Sequence, residues 1–228
     1  MKRKKRNKPG KAEIVRLSLG PIQTNCYLAA DTSSGKAAVI DPGDETWRVQ
    51  HALAMHEWSL AWVLVTHGHF DHIAACGQLA EQADCPIALH PADLPLWWMH
   101  GGADLFGLQI PDQPEPQHSL KEGERIAVGS LNFEVIHLPG HSPGGVGFLE
   151  SRLGWLFSGD VVFAEGGIGR TDLPGGSQKT LMESIAKILQ LPENVIVHPG
   201  HGGPTTVKEL RAIWRDPPPG APPYVAAP

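Results

Sequence analysis

The residues Thr66-His67-Gly68-His69-Phe70-Asp71-His72 place four metal-ligand side chains within six positions. They follow the apolar run Ala61–Val65 and precede an apolar helical pattern. In extended chain His67 and His69 point the same way, because side chains alternate with period two. Gly68 between them allows a sharp turn or a close backbone approach. Asp71 and His72 then fall at the start of the helix. A metal centre needs further ligands from elsewhere in the chain, and three later segments offer one each. They are Leu138-Pro139-Gly140-His141-Ser142-Pro143-Gly144, Ser158-Gly159-Asp160 and Pro199-Gly200-His201-Gly202-Gly203. Each follows a strand-like run, where the sites of α/β proteins gather. Five imidazoles and two carboxylates suit zinc, iron or manganese, and the lack of a thiolate argues against a purely structural zinc knot.

The elements that must position these groups alternate between strand and helix. Strand-like runs at Ile14–Leu19, Cys26–Ala30 and Ala37–Ile40 are separated by Gly-Pro, Asp-Thr-Ser-Ser-Gly and Asp-Pro-Gly turns. The pattern then predicts a helix over Glu45–Trp58, a buried strand over Leu60–Thr66 and a helix over Ile73–Ala83. A short strand (Pro86–His90), a short helix (Pro91–Met99) and a long loop (Gly101–His118) follow. The second half repeats the order. It has strands at Leu131–His137, Val146–Glu150 and Trp155–Ser158, a helix over Ser177–Gln190, a strand at Asn194–His198 and a last helix over Thr205–Trp214. Two β-rich halves with interspersed helices predict an α/β sandwich of two helix-covered sheets.

Composition sets the frame. The 228 residues suit one large domain, with enough chain to bury a core without disulfides. Twenty-six glycines and 21 prolines argue against a helical bundle, and no apolar run reaches the roughly 18 residues of a membrane span. Seven of the cations lie in residues 1–11, so the net charge of −5 becomes −12 for the remainder. That basic block reads as a disordered tail, because an acidic body does not continue a nucleic-acid footprint. Residues 216–228 are too proline-rich to pack and form a second tail, leaving 12–215 as the single domain. Cys26, Cys76 and Cys85 form no CxxC pair, so neither a disulfide framework nor a thiolate zinc site is implied. The basic block contains no apolar signal segment, which makes the cytoplasm the expected compartment.

Two other motifs compete for attention. Gly140-His141-Ser142-Pro143-Gly144 matches the GxSxG nucleophile elbow, but that turn needs a helix directly after the serine, and here a Pro-Gly-Gly and a β-like run follow. Asp41 in Asp41-Pro42-Gly43 is either a turn residue or a buried carboxylate that positions the metal loops. His51, His56, His90, His100, His118, His137 and His198 read as surface or supporting groups. His137 and His198 lie nearest the ligands and are the ones placed to orient them.

The set HxHxDH, PGHSPG, SGD and PGHG resembles the metallo-β-lactamase superfamily, and within it the glyoxalase II-like hydrolases. Gln23–Leu28, Ile40–Gly43 and Gly167–Asp172 also look like that branch, and the resemblance spans roughly residues 12–214. It implies a four-layer αββα sandwich and two divalent ions, most readily Zn²⁺, with Fe or Mn as alternatives. His67, His69 and His141 would hold one ion. Asp71, His72 and His201 would hold the other, with Asp160 between them. It also implies hydrolysis of a small-molecule thioester or glutathione conjugate by a metal-bound hydroxide, with Asp71 as the catalytic residue that orients the nucleophile. Arg170 would bind a substrate carboxylate, the alternative being an arginine paired with Asp172. Neither a membrane nor a nucleic acid is implied as partner. The chain turns proline-rich after Trp214, so it resembles the short branch without the added helical domain of full-length glyoxalase II. The same ligands leave open a mono-iron persulfide dioxygenase, whose loop resembles Gly169–Asp172, and a lactamase or lactonase.

Overall fold

Strand alternation accounts for the layers. In the computed structural model, which describes residues 11–215, β2 (Thr24–Asp31) and β3 (Lys36–Ile40) are buried on both faces. Leu28, Ala30, Ala37 and Val39 face helices, whereas Tyr27, Ala29, Ala38 and Ile40 face the second sheet. A strand covered on both sides needs apolar residues at odd and even positions alike, and these two strands have them.

The first sheet has the order β1-β2-β3-β4-β5-β6, with β1 (Ala12–Leu19), β4 (Ser59–Leu64), β5 (Ile87–Leu89) and β6 (His118–Ser119) completing it. Its β1-β2-β3 part is antiparallel, and β3 through β6 run parallel. The second sheet contains β7 (Arg125–Val128), β8 (Leu131–His137), β9 (Val146–Glu150), β10 (Trp155–Gly159), β11 (Ile196–Pro199) and β12 (Thr205–Thr206) in reversed spatial order. Only β10 and β11 pair in parallel there.

Three apolar layers hold the sandwich together. Phe133, Val135, Phe148 and Phe157 meet the first sheet between the layers. Each fully buried phenylalanine contributes roughly 1.5–3 kcal/mol relative to exposure. Helices α1 (Thr46–Met55), α2 (Phe70–Ile73), α3 (Cys76–Ala83) and α4 (Leu94–Trp98) belong to the first half, and Val49, Ile73, Leu79 and Trp97 seal the first sheet's outer face. Helices α5 (Gln178–Leu189) and α6 (Val207–Arg215) seal the second. α5 starts where Ser177 Oγ accepts from Thr180 N, and its buried Leu181, Ile185 and Ile188 fall on one stripe. This is the expected four-layer αββα sandwich.

Three local expectations change. The helix expected over Ile73–Ala83 is two helices, because Ala75 N donates to Pro42 O instead of continuing the first one. The loop expected from Gly101 begins with 3₁₀ turns over His100–Phe106, kinked at Gly101 and Gly102 with φ of 62° and 77°. An alanine at 101 would put its Cβ 2.1 Å from Phe70 N, so this glycine admits the close approach of the two segments. Strand β7 was not expected at all. The two-residue strands β6 and β12 and a 3₁₀ turn at Ala164–Gly166 were not expected either, and the other elements lie within a few residues of expectation. Residues 1–10 and 216–228, which hold nearly all of both expected tails, lie outside the described residues. Among the described residues no helix is long and apolar enough to cross a membrane.

Candidate metal centre

The four ligand-bearing segments leave the ends of β4, β8, β10 and β11 on one rim of the sandwich. Backbone hydrogen bonds, two between the sheets and one within the second sheet, fix them there. Val146 N donates to Thr66 O at 2.8 Å, Gly200 N to Gly159 O at 3.0 Å and Asn25 N to Gly200 O at 2.7 Å. All seven expected side chains converge.

Two groups form. His69 Nδ1 lies 2.8 Å from His141 Nε2, which lies 3.2 Å from His67 Nε2. In the second group Asp71 Oδ2 lies 3.3 Å from both His72 Nε2 and His201 Nε2. A tetrahedral ion with ligands at about 2.0–2.1 Å requires edges of about 3.3 Å between them, so both groups have the spacing of a coordination polyhedron. Asp160 stands between the groups. Its Oδ2 is 3.7 Å from His141 Nε2 and 3.4 Å from His201 Nε2, and its Oδ1 is 3.5 Å from His72 Nε2. Asp160 Oδ1 and His72 Nε2 are buried and make no hydrogen bond. Such atoms are costly to bury without a partner, and a cation would supply one. The donor set therefore fits two divalent ions sharing a carboxylate.

The surroundings fix which nitrogen faces inward. Asp41 is buried, accepts from Thr66 N at 2.7 Å and from Thr66 Oγ1 at 2.6 Å, and takes the Nδ1–H of His72 at 3.0 Å. Of its two readings from sequence, the positioning carboxylate is the one the structure shows. Thr66 Oγ1 in turn accepts from His67 Nδ1 at 3.1 Å, which turns His67 Nε2 to the centre. His141 Nδ1 donates to Arg170 O at 2.7 Å with the same effect. Thr24 Oγ1 donates to Asp71 Oδ2 at 2.8 Å. The sequence reading did not single out Thr24, Thr66 or the Arg170 carbonyl. Thr66 heads the histidine motif, so its position was the available signal, whereas Thr24 and the carbonyl carry none.

Electrostatics split the imidazoles. Burial and then the neighbouring imidazoles hold His67 well below its ordinary pKa, and burial first and His141 second bring His69 to about 3. Both rings are neutral, the state in which imidazole binds metal. Burial also pulls on His72, but Asp71, Asp160 and Asp41 outweigh it and hold the ring well above its usual value. His201 rises to about 9 because its hydrogen bonds to Asp160 and Asp71 overcome burial. Asp71 and Asp160 stay well below the carboxylate range despite burial, chiefly through His72.

The centre opens into a cavity of about 410 Å³. Ile22, Phe70, Phe106, Leu108, Phe163 and Leu173 wall it, and Arg170 stands at its edge. The Arg170 guanidinium grips Asp172 through two bonds of 2.8 and 2.6 Å and lies 5.8 Å from the Phe106 ring centre. The arginine is thus both paired and exposed to the cavity. A neighbouring cleft of about 430 Å³ shares Ile22, Phe70, Asp71 and Leu108 but contains none of the histidines.

The other candidates separate cleanly. His137 Nε2 donates to Pro143 O at 3.1 Å, bracing the loop that carries His141, and its ring stacks on His90. His198 stacks on Phe157 and meets the edge of Tyr27. His56, His100 and His118 face Glu13, Asp112 and Glu124, away from the centre. Ser142 is fully buried and its hydroxyl donates to Asp93, so the GxSxG match presents no exposed nucleophile.

Comparison with known proteins agrees with this geometry. The sequence profile of the metallo-beta-lactamase superfamily matches residues 19–201. The hydroxyacylglutathione hydrolase GloC of Haemophilus influenzae is 40% identical over 82% of this chain and 89% of its own length. The probable metallo-hydrolase YqgX of Bacillus subtilis is 37% identical over 84% and 91%. Among solved structures, the BLEG-1 B3 metallo-beta-lactamase superposes with a TM-score of 0.81 at 37% identity, covering 86% of this chain and 95% of its own. TTHA1623 in a di-iron-bound form gives 0.79 at 43% identity, covering 87% and 96%.

Proposed function

The chain belongs to the metallo-β-lactamase superfamily, and on that premise we propose that it is a metal-dependent hydrolase of small thioesters of the hydroxyacyl-glutathione type. The observation that carries the proposal is the pair of ligand groups joined by Asp160 at the floor of a cavity. His67, His69 and His141 would hold one ion. Asp71, His72 and His201 would hold the second, and Asp160 would touch both. Zn²⁺ is the ion assigned, with Fe or Mn as the alternatives to be distinguished by metal analysis. The catalytic unit is assigned to residues 12–215.

When bound, two such ions would supply water activation near neutral pH and Lewis-acid polarisation of a carbonyl. The protein supplies the rest. Asp71, which accepts a hydrogen bond from Thr24, would orient the attacking water. Asp41 and the Arg170 carbonyl keep His72 and His141 in their ligand tautomers. The apolar walls exclude bulk water from the reacting carbonyl, and Arg170 offers a fixed cation for a substrate carboxylate.

The test is metal analysis of the purified protein together with S-lactoylglutathione hydrolysis, with Asp71→Asn and His67→Ala as controls. Full activity in metal-free protein would eliminate the mechanism. The identity to a B3 metallo-beta-lactamase supports a second reading, hydrolysis of a β-lactam ring by the same centre, and turnover of a chromogenic cephalosporin separates the two. Oxygen uptake with glutathione persulfide and a single iron per chain would instead favour the dioxygenase; two complete ligand groups favour hydrolysis.

A further inference from the structure

The fully buried Asp93 belongs to no ligand group, yet it bonds to both loops that carry the three-histidine group. It ends a single 3₁₀ turn, Pro91–Asp93, that follows β5. Its Oδ2 accepts from Gly68 N at 2.9 Å and from Ser142 Oγ at 2.7 Å. Its Oδ1 accepts from Gly144 N at 2.6 Å. Gly68 lies between His67 and His69, and Ser142 follows His141 directly. One carboxylate therefore ties the segment supplying two imidazoles to the segment supplying the third, although the two are more than 70 residues apart in the chain. Two glycines make room for it. A Cβ at Gly144 would lie 2.7 Å from the Asp93 carboxyl carbon, and one at Gly68 would lie 3.2 Å from the Asp93 carbonyl oxygen. None of its side-chain bonds reaches Asp71, His72 or His201.

We propose that Asp93 is a positioning residue that sets the spacing of His67, His69 and His141 and so the affinity of that one ion site. The inference rests on the metal reading given above. Three donors converge on an acceptor-only group, so Asp93→Asn keeps the shape and removes the match. Whichever way the amide turns, its NH₂ faces a backbone N–H, either that of Gly144 or that of Gly68. One of the two loops is then pushed off. Supporting groups of this kind typically change metal affinity by about 10- to 100-fold.

The experiment is calorimetric titration of metal-free protein with Zn²⁺, read as stoichiometry and affinity per site, together with the melting temperature of the metal-free form. His67→Ala and His201→Ala identify which binding step belongs to which group. Asp93→Asn is expected to weaken the His67-dependent step by about 10- to 100-fold and to leave the His201-dependent step within about threefold. Ser142→Ala removes one of the three bonds and keeps both backbone ones. It should weaken the same step by a smaller factor, and it tests the idea if Asp93→Asn does not fold. Equal weakening of both steps, or no change in either, overturns the inference and leaves the metal reading standing. Wild-type protein that binds no Zn²⁺ removes both.

Discussion

Replacing Gly200 by alanine should disable the centre through a single methyl group. An ideal Cβ there would sit 2.0 Å from Asp160 Oδ1 and 2.7 Å from His72 Cε1. Unbonded contacts settle near 3.5 Å, so one partner must retreat by about 1 Å or more. The backbone cannot yield easily, because Gly200 N is bonded to Gly159 O and Gly200 O to Asn25 N. The displacement therefore falls on Asp160, the carboxylate facing both ligand groups. A 1 Å misplacement of reacting groups costs on the order of 100-fold in rate, and overpacking costs about 1–3 kcal/mol of stability. Thioester kcat/KM, metal content and denaturant unfolding of Gly200→Ala measure all three effects. Gly203→Ala is the control, since its Cβ would meet nothing within 4 Å, and it should stay within about 0.5 kcal/mol of wild type. Wild-type metal content and turnover in Gly200→Ala, or equal damage from Gly203→Ala, would refute the reasoning.

Three further outcomes are expected. Asp41→Asn should weaken the His72-containing metal site by about 10- to 100-fold, because the amide presents a donor to the Thr66 or His72 donors that Asp41 now accepts; titration calorimetry measures it. His198 is held near pKa 4 by burial and then by Arg16, against 6.5 for the free ring. The unfolded state binds the extra proton between those values, so metal-free protein loses stability as pH falls from 6.5 towards 4, by on the order of 3 kcal/mol from this group. His198→Phe should flatten that part of the pH profile in urea unfolding. Arg170→Ala should raise KM for a carboxylate-bearing thioester several-fold with kcat within about twofold, and an unchanged KM would remove its proposed role.

The sequence made the seven converging side chains legible because each lies just past a strand, among residues that permit a turn. Period-two alternation placed His67 beside His69, and the β-rich halves implied two covered sheets. What it could not show is which groups hold the ligands in place. Asp41 carries a turn motif that reads equally well as local structure, and Asp93 sits in an ordinary Pro-Ala-Asp turn whose partners lie 25 and about 50 residues away. Thr24 and the Arg170 carbonyl act through tertiary contacts without any spacing rule. Strand β7 escaped notice because its alternation covers only four residues, and the break after α2 depends on a distant acceptor, Pro42 O.

Anomalous diffraction from crystals of the metal-loaded protein tests the central claim most directly. Two peaks about 3.5–4 Å apart, flanking Asp160 with three histidines on one side and Asp71, His72 and His201 on the other, are the predicted result. Metal scattering confined to some other part of the surface, with these seven side chains left uncoordinated, would contradict it.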